Sequence, residues 1–245
     1  MVYIHEMSAK GQRIPLPRRT PLSVAICAAF LNDTAAFVSD WADVCRKECP
    51  GASLLIAHRD QDYKVLEACN LTTARSVPYL CRGGVALQQR ALGRLALMRY
   101  ALESKIDVVW FVDPHVAPPK GAWGLICSAL QNGADAVIVP FAPEWTNGTP
   151  AVCVEIEGQL RMIDPTKERG NLIDAVGGEL GCTAIATMVA ASVPLTLGRL
   201  EFEKGAVESE SVGWFANARA LGKTIKSLTA AASVRAAAAA PASAM

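Results

Sequence analysis

No stretch of this chain is both long enough and free enough of polar residues to span a bilayer. The short signatures that announce a phosphate site are missing as well. There is no GxGxxG after the first apolar run, which sets aside a Rossmann dinucleotide site, and no GxxxxGK[ST], which sets aside a P-loop. GxSxG does not occur, against an α/β-hydrolase. Charge of one sign is lacking too. The 24 Lys and Arg against 23 Asp and Glu leave +1, which is no footprint for nucleic acid. Lys10, Arg13, Arg18 and Arg19 read as a solvated leader. The eight cysteines contain no CxxC pair, and Cys45 with Cys49 is a weak zinc candidate, so they read as reduced, mostly buried thiols. The first twenty residues lack the apolar core of a signal peptide, and the expected compartment is cytoplasmic.

What is present is a globular composition. About half of the 245 residues are apolar and 19% are charged, enough apolar material to bury a large core. Residues 1–20, with Pro15 and Pro17, read as a leader. LSVAICAAF (22–30) reads as a strand, Thr34 to Lys47 as a helix with Ala36, Phe37, Trp41, Val44 and Cys45 at helical spacing, and SLLIAH (53–58) as a second strand. That βαβ unit predicts a parallel pair. Arg82-Gly83-Gly84 opens a long helix to about Glu103, with Leu87, Ala91, Leu95, Met98 and Leu102 as its apolar face. DVVWFVD (107–113) reads as the third strand, Pro118 and Pro119 as the start of a helix, and ADAVIVPFA (134–142) as the fourth strand.

Regular alternation stops there. Residues 151–164 alternate around Gly158 as a hairpin, CTAIATMVA (182–190) reads as a strand, residues 203–222 close in an amphipathic helix, and TIKSL (224–228) as a last strand. The expectation is α/β, with a mostly parallel central sheet, helices on both faces and a mixed C-terminal half. One domain spans 21–228, divided into a nucleotide-binding half (21–142) and an acceptor half (143–228). An alanine-rich tail of low complexity follows at 229–245.

In open α/β sheets ligands bind beyond the carboxyl ends of the strands. Three such ends are polar: Asn32-Asp33, Arg59-Asp60 and Asp113-Pro114-His115. A buried strand has no use for an acid and an imidazole two residues apart unless they project past its end, and histidine is scarce, three in the chain. A carboxylate and an imidazole at that spacing can face one divalent cation, and the mixed O/N set suits Mn²⁺. The bland alternative is ordinary Asp-Pro turn chemistry.

The block QQRALGRLALMRYALESKIDVVWFVDPHVAPP (88–119) resembles the arginine-bearing helix and Asp-x-Asp strand end of nucleotide-sugar glycosyltransferases of the GT-A fold. Its DxH variant is similar to that of polypeptide N-acetylgalactosaminyltransferases. VGGELGCTAIATMVAA (176–191) and VESESVGWFANARALGKTI (207–225) resemble the family's glycine-rich acceptor segment and acidic motif, with some likeness to fungal Golgi mannosyltransferases of the Anp1 type.

The resemblance covers roughly 22–228. It implies Asp113 and His115 as ligands of Mn²⁺ (or Mg²⁺) and of the donor diphosphate, with Asn32, Asp60 and Arg90 as further contacts to the nucleotide. Glu210 matches the first acid of the acidic motif, with Ser211 in place of the second, and Glu208 is the next carboxylate; both acids are also what a helix N-terminus favours. Trp110 reads as core, and Trp145 and Trp214 equally as packing or as rings that stack on an acceptor sugar. The implied activity is metal-dependent transfer of a sugar from a nucleotide-diphosphate sugar to a carbohydrate or glycoconjugate hydroxyl, leaning to retention. The alternative is a non-catalytic domain of the same fold that binds a nucleotide sugar or a partner protein. A sugar-phosphate nucleotidyltransferase is disfavoured by the missing basic, glycine-rich loop after the first strand.

Overall fold

A computed structural model describes residues 21–69, 74–81, 84–142, 149–202, 205–229 and 234–235, with the side chains of 32–34, 202, 205, 207 and 234–235 outside the description. In chain order the strands are β1 (Val24–Ala29), β2 (Ser53–Arg59), β3 (Ala74–Tyr79), β4 (Val108–Val112), β5 (Val116–Ala117), β6 (Ala136–Ile138), β7 (Val152–Ile156), β8 (Gln159–Ile163), β9 (Leu172–Ala175), β10 (Cys182–Ala186), β11 (Gly198–Phe202), β12 (Gly205–Ser209), β13 (Ile225–Leu228) and β14 (Val234–Arg235). The α-helices are α1 (Val38–Glu48), α2 (Tyr63–Ala68), α3 (Ala86–Glu103), α4 (Ala122–Gln131), α5 (Thr187–Ser192) and α6 (Glu210–Ala220).

Eight strands form one sheet in the order β3-β2-β1-β4-β10-β6-β13-β9. Strands β1, β2, β3 and β4 pair in parallel, as do β6 and β13, while β10 runs antiparallel between β4 and β6, and β9 antiparallel to β13. Side chains alternate across the sheet because successive residues of a strand face opposite ways. Val108, Trp110 and Val112 of β4 enter one core layer with Trp41 of α1 and Ile126 of α4. Val109 and Phe111 enter the other, with Leu97 of α3 and Trp214 of α6. Trp110 is fully buried, as its place in an apolar run suggests.

Several elements differ from their sequence signals. DVVWFVD is the fourth strand in chain order, because ARSVPY (74–79) forms β3 at the sheet edge. Its exposed positions and Pro78 hide the strand signal, and proline is tolerated on an edge. The run 182–190 is strand only to Ala186 and then turns into α5 without glycine or proline to mark the change. The strand expected at 134–142 is only β6, Ala136–Ile138, and the helix expected at Pro118 and Pro119 begins at Ala122, after Gly121 in a left-handed conformation (φ 84°). Residues 203–222 do close in a helix, but Glu208 lies before it, in β12 of a hairpin with β11.

The buried face of α6 carries Glu210 and Ser211 together with Gly213, Trp214, Phe215 and Ala218, while Ala216, Arg219 and Ala220 are exposed. On α3 the buried residues are Gly93, Arg94, Leu97, Met98 and Ala101, whereas Leu95 and Leu102 of the expected apolar face are exposed. Leucines surround that helix, so periodicity could not choose the face. Tertiary contacts chose the one that carries Arg94. Within the segment expected as a tail, Thr229 is buried and its hydroxyl donates to the Gly170 carbonyl, and β14 pairs antiparallel with β5. The expected leader (1–20) lies outside the described residues.

Candidate active site

The apolar run of β4 ends where its backbone meets the start of β10. The Asp113 amide donates to the Gly181 carbonyl (2.8 Å), and the Asp113 carbonyl accepts from Val116 N–H (2.8 Å), closing the turn that carries His115. On the other side the indole N–H of Trp41 donates to the Val112 carbonyl (2.8 Å), fixing the end of the strand. Gly181 is required by the side chain beside it. A Cβ there would lie 2.6 Å from Asp113 Oδ2 and 3.1 Å from Phe141.

Three elements converge on that turn. Arg94 of α3 donates through Nη2 to Asp113 Oδ1 (2.8 Å) and through Nη1 to Glu210 Oε1 (2.6 Å), with its guanidinium 5.6 Å from the Phe111 ring centroid. Arg90, one helical turn earlier, donates through Nε to the same Glu210 oxygen (2.7 Å). Glu210 is the first residue of α6, whose N-terminus is capped by the Ser209 hydroxyl, accepting from Val212 N–H (3.1 Å). Ser211 then orders a further carboxylate. Its hydroxyl donates to Glu179 Oε2 (2.9 Å) and accepts from Leu180 N–H (3.0 Å).

Electrostatics divide these acids. Burial alone would push Asp113 up, but the Arg94 and Arg90 guanidiniums, with His115, outweigh it and hold the carboxyl below the usual range. Burial raises Glu179, and the Ser211 hydrogen bond and the two arginines do not cancel the effect. Glu210 has no exposed surface; one oxygen takes both arginines and Oε2 has no partner. That is the arrangement of a residue that holds two cations in place.

The structure thus brings together Asp113, His115, Arg90 and Glu210 among the residues expected from sequence. It places Glu208 apart from the ion cluster, exposed on β12 and in register opposite Arg199. Asp60 is exposed, and the buried acid at that strand end is Asp62, held by Arg59 through Nε (2.5 Å) and Nη2 (2.8 Å). The side chain of Asn32 and the whole of Trp145 lie outside the described residues, and Trp214 is fully buried against Phe215. Sequence reasoning missed Arg94, Glu179 and Asp62. Arg90 and Arg94 at i, i+4 were a signal, since that spacing puts both on one helical face. Glu179 had none beyond its place between glycines.

Asp113 and His115 supply one oxygen and one nitrogen donor from a single turn, and Gly181 leaves room beside Oδ2. No group of three or more metal-ligating side chains occurs among the described residues.

No protein-family model matches the chain. By sequence it is similar to an uncharacterized protein of African swine fever virus, 27% identical over 166 residues that cover 61% of this chain and 71% of the viral one. By structure it is similar to glucosyl-3-phosphoglycerate synthase from Mycobacterium tuberculosis, solved with Mn²⁺, UDP-glucose and glycerol 3-phosphate, at TM-score 0.51 and 15% identity over 89% of this chain and 74% of that one. The fold is GT-A. Another solved structure, of a mycobacterial protein, superposes with TM-score 0.51 and 15% identity over 89% of this chain and 69% of that one. In a sheet of this type the Asp113 turn, Arg90, Arg94 and Glu179 lie where the β4–β10 seam opens. Among the described residues no helix is long and apolar enough to cross a membrane.

Proposed function

We propose that the chain is a metal-dependent glycosyltransferase that uses a nucleotide-diphosphate sugar as donor. The observation that carries the reading is the buried Asp113–Arg94–Glu210–Arg90 array at the carboxyl end of β4 in a GT-A sheet. An array of ion pairs this buried fixes geometry, and Arg90, the partly exposed member, is the one that can meet a diphosphate. Asp113 and His115 would hold the cation, which when bound supplies charge neutralisation to the departing diphosphate. Asp62 and Asp60 lie at the strand end expected to receive the nucleoside, and Asn32 would be a further contact after the first strand.

In the transfer, the acceptor oxygen bonds to the anomeric carbon. The bond from that carbon to the diphosphate breaks, and its electron pair leaves with the nucleotide. Glu179 takes the hydroxyl proton, a role Glu210 is too enclosed to fill. Glu179 as the base predicts inversion, whereas the likeness of the Glu-Ser-Glu segment leans to retention. The anomer of the product, read by NMR, decides between them.

Calorimetric titration of UDP- and GDP-sugars with and without Mn²⁺ tests the reading, with His115→Ala as the sharper variant. Asp113→Asn disturbs Arg94 directly, whereas His115→Ala leaves the Arg94–Asp113, Arg94–Glu210 and Arg90–Glu210 hydrogen bonds with both of their partners. Metal-dependent binding in the wild type that loses its Mn²⁺ response in His115→Ala is expected. No nucleotide binding under any condition would sink the proposal, and binding without transfer across an acceptor panel would leave a sugar-nucleotide-binding domain.

A further inference from the structure

Beyond Glu179 the molecule contains a second space that the ion cluster does not use. A half-open cavity of ≈ 190 Å³ lies between the β7–β8 hairpin, the Val176–Glu179 segment, β11 and α6. Its walls include Cys153, Leu160, Met162, Leu200, Val212 and Phe215, and it reaches Glu179. The two cations on its wall are already matched. Arg219 donates to Glu155 (2.5 Å) and Arg199 pairs with Glu201 (3.2 Å). Glu179 is the side chain common to the cavity and the ion cluster, since Ser211, next to Glu210, donates to its carboxylate.

We infer that the cavity is the acceptor subsite, and that the acceptor is an alcohol with an uncharged, apolar body about the size of one aromatic ring. Its hydroxyl meets Glu179 and its body lies between Met162 and Phe215. The inference rests on the transferase reading and adds the chemical class of the acceptor. Size supports it: an apolar cavity of about 150 Å³ takes up benzene, so this one holds a ring and leaves space for the carbon that carries the hydroxyl. Charge supports it as well, because an anionic acceptor would have to displace Glu155 or Glu201 from its arginine. A polyol would leave hydroxyls unpaired against leucine, methionine and phenylalanine, a desolvation loss that an aromatic body avoids.

The test uses the full chain with ¹³C-methyl methionine, the Met162 signal being assigned through Met162→Leu. Benzyl alcohol is the probe and glycerol the polar control. Ala216→Phe and Leu160→Asp alter the wall at exposed positions, so folding is retained. The expected result is a saturable shift of the Met162 methyl with benzyl alcohol, weakened at least about tenfold in both variants. Donor calorimetry stays unchanged in both, and benzyl glycoside forms when the donor is present. A Met162 signal that ignores benzyl alcohol, or glycerol competing equally well, overturns the inference while donor binding leaves the transferase reading standing. A benzyl alcohol response in a protein that binds no nucleotide sugar overturns the transferase reading and, with it, the acceptor role of the cavity.

Discussion

At the scale of single residues, the site is a matter of which acids are matched by cations. Asp113 has its carboxyl lowered by arginines, so it contributes stability at pH values above the ordinary aspartate range, and that contribution is lost as pH falls through the depressed value. Glu179 has the opposite sign. Its folded value is raised, so the native state binds the proton more tightly, and stability falls as pH rises from the ordinary glutamate range through the elevated one. Glu179→Gln should therefore raise the denaturation midpoint at neutral pH and flatten that part of the pH profile, while transfer is lost; unchanged pH dependence would contradict the assignment. Gly181→Ala should act on Asp113 first, and more weakly on Phe141. A methyl 2.6 Å from Oδ2 forces the carboxylate away, and donor affinity should drop by about tenfold in calorimetry, with a stability loss of about 1–3 kcal/mol by urea titration. Glu210→Ala is harsher, because the half-exposed Arg90 loses the carboxylate it donates to and the buried Arg94 keeps only its bond to Asp113. The expected destabilisation is about 3–5 kcal/mol.

At the scale of elements, α6 delivers Glu210 and Ser211 because its backbone lies against the segment before β11. A Cβ on Gly213 would stand 1.9 Å from the Thr196 carbonyl oxygen, and one on Gly198 would stand 2.5 Å from Gly213 N. Asn217 adds a side-chain bond to the Pro194 carbonyl (2.9 Å). Gly213→Ala should thus separate helix and strand and destabilise the protein by about 3 kcal/mol, seen as a lower urea midpoint together with loss of the Glu210–Arg contacts in a crystal structure. None of this was legible in the sequence, where Gly213 reads as a weak point in a helix. The central strands were legible, since β1, β2 and β4 are uninterrupted apolar runs bounded by polar ends. So was the position of Asp113 and His115, for the same reason. What escaped was whatever depends on the partner: the edge strand β3, the face of α3 that is buried, and the approach of Glu179 to Ser211 across 32 positions.

At the scale of the whole molecule, the sheet order shows where chemistry can sit. The parallel strands β3-β2-β1-β4 form one block, β6 and β13 another, and antiparallel β10 joins them. The ion cluster straddles that join, with α3 on one side and α6 on the other. This arrangement has a consequence for biosynthesis. Arg94 and its partner Glu210 are 116 positions apart, so at roughly 5–20 residues per second a ribosome needs on the order of ten seconds between making one and making the other. Through that interval the first block can fold, but the edge of β4 that later receives β10 stays open, and Arg94 faces Asp113 with no second acid. The emerging chain thus carries an unpaired row of backbone N–H and C=O groups on a strand whose side chains are all apolar, at the very place that later becomes the site, and that is the stage at which a folding helper would be needed most.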